Sequence, residues 1–173
     1  MQPFATEDDM ENRTLGAITA TSHPFLPQEI AAAVREIRNH CGWHVAPTEV
    51  LTYRREAPWA EDVWLPAMQI TAITACVIDG RAIDPATIRF DPDTGWTNLR
   101  GCSVHVTYVA GYSDVPEDLV TLALELAAGG LGTSLGIGRE QAGGVSVTYT
   151  RANGSVQSSD HGRLAAYTLG TLP

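Results

Sequence analysis

A chain of 173 residues, 44% apolar and 18% charged, is long enough to bury a core and suits one compact domain with a flexible end. Eleven Lys and Arg against twenty Asp and Glu leave a formal charge of −9, which excludes a basic surface wrapped tightly by nucleic acid but is compatible with a conduit to which DNA does not stick. Cys41, Cys76 and Cys102 are an odd set without paired spacings and read as reduced and mostly buried, and residues 1–9 hold neither a basic region nor an apolar run, which points to a cytoplasm rather than export or a membrane.

In chain order, Thr6 followed by Glu7, Asp8 and Asp9 has the acidic first turn of a helix, predicted over residues 6–13. Residues 19–27 show no periodicity and carry Pro24 and Pro27, so they read as a loop. Pro27 suits a helix start. Ile30, Val34, Ile37 and Cys41 then recur at four, three and four residues, an apolar stripe on a helix over 27–42 that Gly42 stops.

Residues 45–112 change character, being rich in Val, Ile, Thr, Tyr and Trp and cut by turn residues. A strand is predicted over 49–54, and Trp64-Leu65-Pro66 leads into a longer one over 68–78. Asp79-Gly80 is a two-residue hairpin signal, with return through Ala82 and Ile83. Asp91-Pro92-Asp93-Thr94-Gly95 reads as a further turn. Val104, Val106 and Tyr108 alternate with His105 and Thr107 as in a half-buried strand that Gly111 ends.

Pro116-Glu117-Asp118 opens another helix, whose Leu119, Leu122, Ala123, Leu126 and Ala127 form a wide apolar face and which is expected to stop at Gly129-Gly130. Seven of the sixteen positions 129–144 are glycine, which predicts a loop without a fixed backbone of its own. A strand follows over 145–150. Residues 164–169 read as a final helical turn or two, with an apolar edge and no evident partner inside the chain.

The resulting fold class is α+β: a helical core, with helices near 27–42 and 116–130, an inserted small antiparallel β-subdomain at about 45–112, and a flexible C-terminal segment. Three regions are expected: 1–26 as a short helix and loop, 27–130 as the core, and 131–173 as Gly-rich loop, strand and C-terminal segment.

No motif demands catalysis, a cofactor or a metal. His40-Cys41-Gly42-Trp43-His44 offers ligand types but no second cluster to complete a zinc site, so a helix end beside a packed Trp43 is the better reading. Asp91, Asp93 and Gly95 mimic the start of a calcium loop, but tryptophan follows and no bidentate Glu stands at the required spacing. The glycines at 129, 130, 132, 136 and 138 follow a helix rather than a strand and precede no Lys-Ser or Lys-Thr pair, unlike a phosphate loop. His23, His40, His44, His105 and His161 lie in no nucleophile signature. Two alternatives remain: a sugar- or ligand-binding β-module of a virion or host-surface protein, built on Trp59, Trp64 and Trp96, and a small hydrolase using His105 with a carboxylate.

One further feature is the order of elements. The helix end Ile37-Arg38-Asn39-His40-Cys41-Gly42-Trp43-His44-Val45-Ala46-Pro47, the strand after Trp64-Leu65-Pro66, the Asp79-Gly80 hairpin and the helix entry Tyr108-Val109-Ala110-Gly111-Tyr112-Ser113-Asp114-Val115-Pro116-Glu117-Asp118-Leu119 follow one another. This succession, over roughly 27–130 with an echo at 164–169, resembles the head-to-tail adaptor, or head completion, proteins of long-tailed bacteriophages, those of actinobacterial hosts and gene transfer agents in particular. The resemblance implies a non-enzymatic virion protein of the neck, assembled in the host cytoplasm. It implies a ring, a dodecamer, docked on the clip of the portal protein, with its opposite face receiving a stopper or tail-completion protein and DNA passing through the lumen without specific binding. It also implies a C-terminal segment that reaches the portal, for which Arg163, Leu164, Tyr167 and Leu169 are the expected contact residues.

Overall fold

The computed structural model describes residues 2–132, 139–142, 145–148 and 155–170. Two compact units interleave along the chain: Met1–His40 with Val115–Ala166, and Cys41–Asp114 with Tyr167–Pro173. The fold is α+β, as expected from the sequence.

The first unit is helical. Helix α1 (Glu7–Arg13) starts at Thr6, whose hydroxyl accepts from the Asp9 amide at 3.1 Å while the Asp9 carboxylate accepts from the Thr6 amide at 2.8 Å. This reciprocal cap, on an acidic first turn, is worth about 1 kcal/mol. Helix α2 (Leu26–Cys41) buries Ile30, Val34, Ile37 and Cys41, the stripe read from the sequence, together with Leu26 and Ala33. Gly42, at φ +79°, ends it in a conformation glycine adopts without strain.

Helix α3 (Glu117–Gly132) buries Leu119, Leu122, Ala123, Leu124, Leu126 and Ala127. It runs through Gly129-Gly130, where a stop was expected. Two consecutive glycines cost a helix about 1–2 kcal/mol, yet α3 continues past them to Gly132, with the Glu29 carboxylate close beside Gly130. Strands β5 (Arg139–Ala142) and β6 (Val145–Thr148) pair as a two-stranded antiparallel sheet. The expected 129–144 loop is thus helix at one end and strand at the other, while 133–138, 143–144 and the end of the 145–150 strand lie outside the described residues. The turn Ser158–Asp160, helix α4 (His161–Leu164) and the turn Ala165–Tyr167 complete the described chain.

The second unit is a four-stranded antiparallel sheet in the order β1-β4-β2-β3, formed by β1 (Glu49–Trp64), β2 (Ile70–Ile78), β3 (Arg81–Ile83) and β4 (Trp96–Ala110). Central β4 shows the period of two: Val104, Val106, Tyr108 and Ala110 are buried and the residues between them are not. Ile73, Cys76 and Ile78 of β2 stand opposite Tyr108, Val106 and Val104 and share the buried face. Asp79-Gly80 makes the β2–β3 turn as predicted.

Strand β1 continues ten residues beyond the end expected for it. The obstacle, Pro58, falls where the β1–β4 register shifts between Glu56 and Glu61. A bulge on an edge strand frees Pro58 from the need to donate, so the strand passes the proline and resumes pairing. The Asp91 turn is built as foreseen, with the Asp91 carboxylate accepting from the Asp93 and Thr94 amides at 2.8 and 3.1 Å. Those amides lower its pKa. Gly95 (φ +74°) lies so close to the Leu65 carbonyl that no side chain fits there.

Candidate functional site

The expected contact residues of the C-terminal segment all have partners within their own unit, which corrects the expectation of an apolar edge with none. Arg163 pairs with Glu125 at 2.8 Å and reaches the Asp118 carbonyl at 3.4 Å. Leu164 is fully buried. The Tyr167 carbonyl accepts from the Trp43 indole at 2.6 Å, and its ring meets Tyr112 edge-on, centroids 5.9 Å apart. The Leu169 amide donates to the Cys41 carbonyl at 2.9 Å. Arg163 and Leu164 belong to the helical unit, Tyr167 and Leu169 to the sheet unit. From His161 to Gly170 the exposed residues are His161, Gly162, Ala165, Ala166 and Gly170.

Sequence reading could not find these partners, because each pairing spans a long stretch of chain. The one local signal was the indole of Trp43, a donor that seeks an acceptor when it packs.

The His40-Cys41-Gly42-Trp43-His44 cluster is spent on separate partners. The His40 ring stacks on His161 at 4.6 Å, and the His44 Nε2 meets the Pro47 carbonyl. Burial pushes the Cys41 thiol up to about 11, partly offset by a hydrogen bond with the Thr168 side chain. A thiol held protonated is a poor metal ligand. Among the described residues no three His, Cys, Asp or Glu side chains form a group that could hold a metal ion.

The three tryptophans of the sugar-binding alternative divide. Trp64 and Trp96 stand opposite one another in register, whereas Trp59 rides on the β1 bulge, 66% exposed. Arg55, half-buried, fastens that bulge: its guanidinium bonds the Glu61 carboxylate at 3.0 Å, the Glu61 and Asp62 carbonyls at 3.3 Å each, and the Gly101 carbonyl at 3.2 Å. The sequence reading missed this pin.

The sheet brings the hydrolase candidate His105 within 3.8 Å of Glu56. Ser103 also donates to Glu56, at 2.9 Å. A nucleophile needs the imidazole beside its hydroxyl, and here the carboxylate stands there instead, on an open sheet surface.

That surface is the outer face of the sheet. Val50, Thr52, Arg54 and Glu56 of β1 oppose Val109, Thr107, His105 and Ser103 of β4, and Ala72, Ala75 and Val77 of β2 complete it on the other side. Val50 is 67% and Val77 40% exposed. Its charges sit at one corner, where Arg54 and His105 stand beside Glu56.

The sequence matches no known family model, and no curated protein matches it. In fold, the chain is similar to a chain from the neck of a native GTA (gene transfer agent) particle computed with C12 symmetry, with a TM-score of 0.59 at 14% identity, over 94% of this chain and 90% of that one.

Proposed function

We propose that this chain is a head-to-tail adaptor of a long-tailed phage or gene-transfer-agent particle: a non-enzymatic structural protein that forms a twelve-membered ring in the neck, docks on the portal clip and presents its other face to a stopper or tail-completion protein. The observation that carries the reading is the fold likeness to a neck chain in a C12 assembly, extending over nearly the full length of both chains. The net charge of −9 supports a lumen through which DNA passes without being gripped. Assembly takes place in the host cytoplasm and the mature location is the virion. No described helix is long and apolar enough to cross a membrane.

Portal contact is assigned to the C-terminal segment around Arg163, Leu164, Tyr167 and Leu169. With Leu164 buried and Arg163 and Tyr167 committed to internal partners, these residues set the shape of the segment, and exposed Ala165 and Ala166 supply its free surface. Co-expression with the portal protein of the same particle, followed by electron microscopy, tests the reading. A twelvefold ring stacked on the portal is the expected result, and a chain that stays unbound overturns it. An Ala166→Glu variant that docks undiminished would overturn the assignment of the segment alone.

A further inference from the structure

We infer that neighbouring copies of this chain join head to tail through two uncharged surfaces, residues 14–28 of one copy seating on the outer face of the sheet of the next. This rests on the ring reading above. A rotationally closed ring requires two different surfaces on every subunit. In a chain of charge −9 any contact between acidic surfaces is repelled, so self-association falls where net charge is absent.

Both surfaces meet that condition. Residues 14–28 contain no Asp, Glu, Lys or Arg. Between Val50–Glu56 and Ser103–Val109 the outer sheet face carries Arg54 and Glu56 as a balanced pair, with His105 between the strands, and is otherwise Val, Thr, Ser and Ala, while further along the same two strands the exposed Arg100 and Asp62 balance each other at 3.9 Å. Four of the six large apolar side chains exposed among the described residues lie on these two surfaces: Leu15 (95%) and Phe25 (70%) on the segment, Val50 (67%) and Val77 (40%) on the sheet.

The segment is also held in shape before any contact. Thr19 and Ser22 bond each other through amides and hydroxyls at 3.0 to 3.1 Å, the Ile18 amide donates to the Thr14 hydroxyl at 3.1 Å, and the His23 amide to the Thr19 carbonyl at 2.9 Å. A preformed segment loses little conformational freedom on docking. At ~3.3 Å per residue and ~4.8 Å between strands, this part of the face spans roughly 20 by 14 Å.

The test is made in the full chain, co-expressed with the portal protein, with Phe25→Lys and Val77→Glu introduced singly and together and rings counted by electron microscopy. Each single charge is expected to cut ring occupancy at least tenfold with the melting temperature unchanged, and the opposite-charge pair to restore a substantial part. The neutral variants Phe25→Leu and Val77→Thr keep the rings and separate a charge effect from misfolding. In a Cys102→Ser background, Phe25→Cys with Val77→Cys in one chain is expected to give a covalent ladder beyond the dimer on oxidation. Either single cysteine should give no dimer. Undiminished rings with both single charges, or dimers from a single cysteine, overturn this inference and leave the ring reading standing. Absence of rings with the unmodified chain overturns the ring reading itself.

Discussion

The indole of Trp43 donates to the main-chain carbonyl of Tyr167 at 2.6 Å, joining residues 124 positions apart in the chain. Trp43 is buried at the end of α2, so this one bond ties the returning C-terminal segment to the start of the sheet unit. Trp43→Phe keeps most of the ring and removes the donor. Losing this hydrogen bond is expected to cost about 1 kcal/mol. Amide exchange should accelerate at residues 167–170 before anywhere else in the sheet unit; uniform exchange across the variant would contradict this local role.

Asp79 does more than turn the β2–β3 hairpin. Its carboxylate accepts from the Cys102 and Ser103 amides at 3.0 and 2.9 Å, where the burial alternation of β4 slips by one residue. Asp79→Ala leaves two strand amides without that acceptor and is expected to lower stability by about 2 kcal/mol, more than Asp79→Asn, which keeps one acceptor oxygen. Urea denaturation of the three chains side by side gives the ranking.

Arg55 holds the bulge that carries Trp59. Arg55→Lys supplies one ammonium where four guanidinium contacts existed, and a point charge cannot reproduce the fork. Chymotryptic cleavage after Trp59 is expected to speed up several-fold in Arg55→Lys, while the melting temperature drops by only a few degrees. Equal cleavage rates would show that the bulge holds itself.

Alkaline pH should loosen the fold in a defined window. Cys41 and Tyr108 ionise near 9.0 and 10.0 when solvated, and burial raises them to about 11 and about 12, with Tyr53 adding to the shift of Tyr108. The folded chain therefore holds these protons more tightly than the unfolded one. The stability they contribute is fully present below pH 9 and is lost as pH climbs through 11 and then 12. Denaturant midpoints measured from pH 8 to 12 should fall across that window, and Cys41→Ala, whatever its offset, should flatten the slope between 9 and 11.

Much of the fold was legible because it is written in local chemistry. The Thr6 cap, the Ile30 to Cys41 stripe, the Gly42 stop and the Asp79-Gly80 turn each depend on neighbours within about one turn of chain. What escaped is what distant contacts decide. Strand β1, expected over 49–54, runs on to Trp64, since an edge strand tolerates the missing donor of Pro58 and Arg55 closes the gap across the bulge. Gly129 and Gly130 were expected to end α3, and the helix instead runs on to Gly132. The C-terminal residues lacked a visible home because their partners, Trp43, Cys41, Tyr112 and Glu125, are scattered along the chain. Of the candidate docking segment 14–28 only residues 19–27 were read, as a loop, since a run without charges acquires meaning only once the matching face of the sheet is seen.

The interleaving of the two units bears on how the protein can be dissected. A contiguous fragment of residues 41–114 carries every strand of the four-stranded sheet yet strips Trp43 and Cys41 of Tyr167, Thr168 and Leu169, exposing an indole, a thiol and a carbonyl that the whole chain keeps satisfied. A faithful miniature needs residues 167–170 stitched back on by a new linker, and a library of simple truncations would report as insoluble a unit that lacks only its last few residues.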